Sequence, residues 1–146
     1  MEIIEESIFP EQAVEYAGFW KRFWASFVDR LVLCIPNLMI QYGMKYFIEG
    51  LMGSIVAIVL QYLIGWIYSA SMESGNNKAT IGKQAVGIMV TDLNGGRLTF
   101  SAASTRYWSK IISGLILLIG YFMMLWDDKK QTLHDKLAGA VVIMKQ

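Results

Sequence analysis

The sequence predicts an all-α integral membrane protein. It has two transmembrane helices, a third short hydrophobic segment that is re-entrant or spanning, and a small cytoplasmic β-hairpin. Three observations carry this. The chain is 55% hydrophobic and only 17% charged, against about 25% charged in ordinary soluble domains. Two apolar stretches, about 19–41 and 51–72, reach the roughly 20 residues that a membrane-crossing helix needs. Between the second stretch and the next apolar run lies a polar segment with Asn94-Gly95 at its centre, a strong hairpin signal.

Composition also excludes function classes. A chain of 146 residues is one domain. Its net charge of +1, without a basic run interleaved with aromatics, gives no footprint for nucleic acid. Cys34 and His134 are the single cysteine and histidine. An intrachain disulfide is therefore impossible, and no Cys/His metal set can be assembled. No cofactor motif is present, and no nucleophile–base–orienter set can be read, so no catalytic residue is assigned. Gly82-Lys83 is not a phosphate loop, because six residues separate Gly75 from Gly82 and Gln84 follows the lysine.

Taken in order, residues 1–17 read as a polar acidic tail with Glu2, Glu5, Glu6, Glu11 and Glu15. They lack the basic start and apolar core of a secretory signal. Residues 18–146 form the membrane domain. The first helix opens on Phe19, Trp20, Phe23 and Trp24, residues that suit an interfacial belt. It carries Arg22, Asp29 and Arg30 into an otherwise apolar span. Arg22, Asp29 and Pro36 share one helical stripe, since residues seven apart lie about 20° from each other. Pro36 removes one backbone hydrogen bond and frees the carbonyl of Val32. A link over Gly43–Gly50 makes the second helix antiparallel, and its small residues Ser54, Ala57, Gly65 and Ser69 form a face for close approach. Counting from the two ends puts Asp29 and Gln61 at one depth, so Gln61 is either the amide partner of Asp29 or Arg30 or bonded to a backbone carbonyl.

The hairpin occupies about 80–100, with Thr80 capping a short turn, a strand over Ile88–Asp92, a type I′ turn at Asn94-Gly95 and a return over Arg97–Phe100. The segment 101–126 begins as an interfacial helix with Arg106 and Lys110 on its polar side and Tyr107 and Trp108 as anchors. Ile111–Trp126 then crosses as a third helix or turns back near Gly120. The positive-inside rule favours the return, because it keeps Lys129, Lys130, Lys136 and Lys145 of the tail, 127–146, with the earlier basic residues. Both termini are then cytoplasmic, in the cell (inner) membrane. The tail's apolar run Ala140–Met144 can pair as a strand with Ile88–Thr91.

Arg at the start of a first membrane helix, Asp in its middle and a later Thr132-Leu133-His134-Asp135-Lys136-Leu137-Ala138-Gly139 segment resemble the RDD family of small, mostly bacterial membrane proteins. The resemblance spans about Gly18 to Met144, and the Thr80–Lys83 segment adds to it. It implies that Arg22, Asp29 and Asp135 are the family's named residues. Ala140 departs from the threonine expected in many members. The family carries no settled activity, so the resemblance implies architecture above all.

Arg22, Asp29, Arg30, Gln61 and Asp135 make the candidate site. A carboxylate at membrane depth has its proton affinity raised by burial and lowered by a nearby cation. Asp29 is thereby suited to exchange a proton for a monovalent cation, with Arg22 biasing its charge and Asp135 competing for that arginine. Two spans cannot enclose a pathway, so exchange implies a homo-oligomer or the third segment as a wall. The alternative is an anchor or scaffold module in the bilayer that assembles with another membrane protein, its charges being structural ion pairs.

Overall fold

The computed structural model describes residues 14–115 and 119–145, so most of the expected acidic tail lies outside the described residues. Two antiparallel helices dominate: α1, Phe19–Phe47, and α2, Gly50–Glu73. At 1.5 Å per residue they run about 43 and 36 Å, enough to span a hydrocarbon core of about 30 Å. Both are long and apolar enough to cross a membrane. Their outer faces expose Ile35, Met39, Leu51 and Ile58, a continuous apolar surface of the kind that lipid covers. Pro36 lies inside α1 without ending it.

The link between the helices is shorter than the sequence suggests. Only Ile48 and Glu49 separate them. The reversal is tight because Gly50 takes φ +75° and Gly53 leaves room for the Ile48 carbonyl, which a Cβ would meet at 2.1 Å. Extending α1 by six residues shifts its register against α2. Asp29 therefore faces Tyr68, and Gln61 faces Asn37 and Gln41, to which its amide donates at 3.3 Å (Asn37 carbonyl) and 2.9 Å (Gln41 Oε1). The backbone-carbonyl alternative for Gln61 is the one observed. On α2 the small residues Ala57, Gly65 and Ser69 are buried, as the spacing suggests.

The rest of the chain forms a cap at the end where α1 starts and α2 finishes. Its elements are α3 (Ile81–Ala85), β1 (Ile88–Asp92), α4 (Phe100–Leu115), α5 (Ile119–Phe122), a 3₁₀ turn at Met123–Leu125, α6 (Leu133–Ala138) and β2 (Ala140–Met144). β1 pairs antiparallel with β2, Ile88 opposite Met144, Val90 opposite Val142 and Asp92 opposite Ala140. The tail strand thus takes the place expected of a hairpin return. Residues 97–99 form no strand and Phe100 already opens α4. Residues Glu15–Ala17 flank the other edge of β2: Ala17 N–H donates to Val142 at 2.8 Å and Met144 N–H to Glu15 at 2.8 Å. The end of the expected tail is therefore built into the cap, with Ala17 in its core beside Ala25, Ile88, Val90, Leu98, Ala140 and Val142.

The third hydrophobic segment does not continue as one straight helix. Gly120 lies against Ser113, whose side chain a Cβ on Gly120 would meet at 3.0 Å. Seven residues along a continuous helix would separate them by about 10 Å, so Ser113 and Gly120 do not lie on one straight helix. α4 itself is more deeply used than an interfacial helix. Arg106 is 3% exposed and points inward, not to a polar outer face. Its neighbour Tyr107 donates its hydroxyl to the Tyr62 carbonyl at 3.1 Å, resting over Gly65 of α2.

Candidate functional site: a buried charge chain and the cavity beside it

Two carboxylates organise the junction between the helices and the cap. Asp29, on α1, is held by neutral donors. Tyr68 donates its hydroxyl to Oδ1 at 2.7 Å, Gly82 N–H donates to Oδ1 at 2.8 Å, and the Thr80 hydroxyl donates to Oδ2 at 2.6 Å. Tyr68 also accepts from Ile81 N–H at 3.1 Å. Thr80 caps α3, as its sequence position suggests, and Asp29 gathers the free N–H groups that a helix start leaves unpaired. Such close contact needs Gly82: a Cβ there would lie 2.0 Å from the Ala25 carbonyl and 2.8 Å from the Asp29 carboxyl.

Asp135, on α6, is held by cations. Arg106 Nε–H donates to Oδ1 at 2.6 Å, and Arg22 pairs with Oδ2. The backbone N–H of Thr132 adds a third bond at 3.2 Å, which closes the start of α6. Burial alone would raise the Asp135 carboxyl, but Arg106 and Arg22 outweigh it and hold the group well below the usual carboxylate range. Arg22 is fixed on its other edge by the carbonyls of Lys130 at 2.6 Å and Ala17 at 3.2 Å.

The chain of charges continues. Arg106 Nη1 reaches Glu73 Oε2 at 2.7 Å and Oε1 at 2.9 Å, and Lys83 pairs with the same carboxylate. An unbroken series therefore runs Arg22–Asp135–Arg106–Glu73–Lys83 and ties α1, α6, α4, α2 and α3 together. Burial, and then Arg106 nearby, push the Lys83 amine down to about 7. Arg106 bridges two carboxylates, Nε to Asp135 and Nη1 shared by both oxygens of Glu73, in a buried setting where a broken pair costs most.

Of the residues singled out from the sequence, the structure brings Arg22 and Asp135 into direct contact. It keeps Asp29 apart from Arg22, Gln61 apart from both, and Arg30 exposed. Glu73, Lys83 and Arg106 belong to the site although the sequence pattern does not assign them to it. Their signal was a glutamate ending an apolar helix, a lysine ten residues on, and an arginine on an amphipathic helix.

Beside this chain lies a cavity of about 750 Å³. Its charged lining is Arg22, Arg30, Lys83, Arg106 and Lys110 against the one carboxylate of Asp29. Its apolar walls include Phe23, Leu33, Tyr62, Ile111 and Phe122. His134 also lines it. Its Nε2 meets the Thr132 hydroxyl at 2.9 Å, while Nδ1 is buried and has no partner among the described residues. Burial, and then Arg106, hold the His134 imidazole down to about 3, so the ring is neutral. Among the described residues no group of three His, Cys, Asp or Glu could hold a metal.

The sequence pattern of the RDD family matches residues 16–139, a span that contains every residue of the charge chain. YxaI of Bacillus subtilis strain 168 is 26% identical over 148 residues, covering 88% of this chain and 97% of that protein. YteJ of the same organism, named as a membrane protein, is 26% identical over 135 residues, 88% of this chain and 80% of its own length. A proline-rich antigen homolog of Mycobacterium tuberculosis is 31% identical over 85 residues, 58% of this chain and 34% of that protein. No solved structure matches the chain.

Proposed function

The chain belongs to the RDD family, and on that premise we propose that it is an integral membrane module of the cell membrane, a scaffold whose cap is locked onto two spanning helices and presented to a partner. One observation carries this reading: the unbroken series Arg22–Asp135–Arg106–Glu73–Lys83 uses every family-named charge but Asp29 as an internal tie. Asp29 in turn is spent on the start of α3. The bare apolar faces of α1 and α2 are the surface for lipid and for a second copy or another membrane protein. Lys129, Lys130 and Lys136 belong to the cap, whereas the link end carries Lys45 with Glu49. The positive-inside rule then sets the cap, and both termini, in the cytoplasm. The close approach of Gly120 to Ser113 supports a re-entrant third segment.

Cation/proton exchange at Asp29 is the second reading. It is favoured by the position of Asp29 on the cavity wall with no ion pair among the described residues. Against it stand the cavity's surplus cations, which repel an entering cation. Purified protein in liposomes separates the two. The scaffold reading expects no cation-driven proton flux, together with a cross-linked dimer or hetero-complex in native membranes. Flux in the parent that disappears in a normally melting Asp29→Asn protein replaces it with exchange. Absence of both flux and any cross-linked species removes both readings.

A further inference from the structure

We propose that the cavity between α1, α2 and α4 is a binding site for a phosphate-bearing anion, occupied in the membrane by the headgroup of an anionic phospholipid. The argument starts with charge. Arg22, Arg30, Lys83, Arg106 and Lys110 line the space. The nearby carboxylates are Asp29 on the wall and Glu73 and Asp135 behind it. Glu73 is taken by Arg106 and Lys83, and Asp135 by Arg106 and Arg22. Two cations of the lining, Arg30 and Lys110, make no ion pair with any described residue. A site lined by unspent cations beside apolar residues attracts an anion.

A second observation is independent of charge. His134 is 3% exposed and lines the cavity, yet its Nδ1 lacks a hydrogen-bond partner among the described residues. Buried polar atoms are seldom left unpaired without a reason. In the tautomer whose Nε2 accepts from the Thr132 hydroxyl, the proton sits on Nδ1; that atom is itself closed to the cavity, so a phosphate oxygen would reach it only once the ring turns.

Shape argues for a lipid as the source. Along α1 the lining runs from Phe19 to Leu33, about 20 Å of helix rise. Its apolar residues Leu33, Tyr62 and Ile111 stand beside the cations Arg30 and Lys110. Phe23 and Tyr62, which line it, are themselves 47% and 49% exposed on the outer face. A headgroup fits among these cations while an acyl chain leaves past the exposed rings of Phe23 and Tyr62, an arrangement that free phosphate does not use. This goes beyond the scaffold reading, because a chain that failed to assemble with any partner would bind the anion equally well.

The test uses the full chain in detergent, titrated with phosphatidylglycerol, with zwitterionic phosphatidylcholine or with inorganic phosphate, and read by native mass spectrometry and by melting temperature. Phosphatidylglycerol should give a single saturable adduct and raise the melting temperature, with phosphatidylcholine at least about tenfold weaker. Lys110→Gln and Arg30→Gln, which break no ion pair of the charge chain, should melt like the parent without lipid. Each should weaken phosphatidylglycerol binding roughly tenfold, the scale of one charge-assisted hydrogen bond. Displacement by millimolar inorganic phosphate would keep the site but make free phosphate its ligand, overturning the lipid assignment. Equal binding of the two lipids, or variants that bind as the parent does, would overturn the site itself. Neither result bears on whether cross-linked assemblies form.

Discussion

Asp29 and Asp135 are two carboxylates at one junction, and they are stabilised in opposite ways. Asp135 sits between two guanidinium groups, and its negative charge is needed to keep Arg22 and Arg106 in the interior. Asp29 accepts from a phenol, an alcohol and a peptide N–H, and no cation depends on it. A charge that neutralises other buried charges is hard to replace. A charge that only accepts hydrogen bonds can be replaced by a neutral acceptor at a smaller loss. Arg22, Asp29 and Asp135 therefore do not form one cluster with one task. Arg22 and Asp135 close the cap, and Asp29 docks α3.

That contrast is broken most directly at Asp135. Asp135→Asn leaves Arg22 and Arg106 without their shared counter-charge, and removing one member of a buried pair costs about 3–5 kcal/mol. The variant should accumulate poorly in membranes and melt far below the parent in detergent. A normal melting temperature would mean that water already reaches the pair. Acid should weaken the same region. The His134 imidazole lies near 3 in the folded chain and near 6.5 when free, so the unfolded state binds the extra proton in between. Stability is then fully present above about 6.5 and falls as pH drops toward 3. Asp135, held low, adds its own loss only below about pH 4. Melting temperature between pH 7 and 4.5 should drop in the parent and drop less in His134→Gln.

Next in size is Gly82→Ala. Its Cβ would meet the backbone oxygen of Ala25 at 2.0 Å, and backbone cannot swing aside. Overpacking of this kind costs about 1–3 kcal/mol, and α3 should detach from Asp29 as it shifts. Asp29→Asn is milder. The amide oxygen still accepts, but one donor loses its partner, at about 1–2 kcal/mol. If Asp29→Asn instead matched Asp135→Asn in its loss of stability, Asp29 would be serving a cation, and the distinction between the two carboxylates would fail.

Several of these features were legible in the chain and several were not, for physical reasons. The spans followed from length and hydropathy, and Thr80 as a cap from its place before Ile81-Gly82. The pairing of Ala140–Met144 with Ile88–Thr91 was readable because both runs are rich in β-branched Ile, Val and Thr. The contact partners of Asp29 and Gln61 were not, since they depend on the register of α1 against α2. Ending α1 near residue 41 rather than at Phe47 displaced every facing pair. Arg106 was misplaced for another reason. Amphipathic spacing reveals that a helix has a polar side, but not whether that side faces water or a buried glutamate.

The turn after β1 gives the smallest effect and the sharpest check on local conformation. Asn94-Gly95 suggests a type I′ turn, with positive φ at both residues. The structure has positive φ at Gly95, +79°, and among the described non-glycine residues only at Lys78 and Lys130, so Asn94 does not take positive φ. Asp92 explains the choice. Its carbonyl accepts from Gly95 N–H at 3.2 Å, and its N–H donates to the Gly96 carbonyl at 3.0 Å. Its carboxylate accepts from Asn94 N–H at 2.9 Å and Gly96 N–H at 2.7 Å. This is a type I turn followed by a left-handed glycine, in which the aspartate satisfies N–H groups that a two-residue hairpin would pair across strands. Gly95→Ala should therefore cost about 1–2 kcal/mol, the steric penalty of a left-handed L-residue. Asn94→Ala should stay within about 0.5 kcal/mol of the parent, as surface substitutions away from special geometry do. Under a type I′ turn both changes would carry the left-handed penalty. Melting curves of the two single variants decide it: comparable losses would restore type I′ and with it the expectation that Asn94 adopts positive φ.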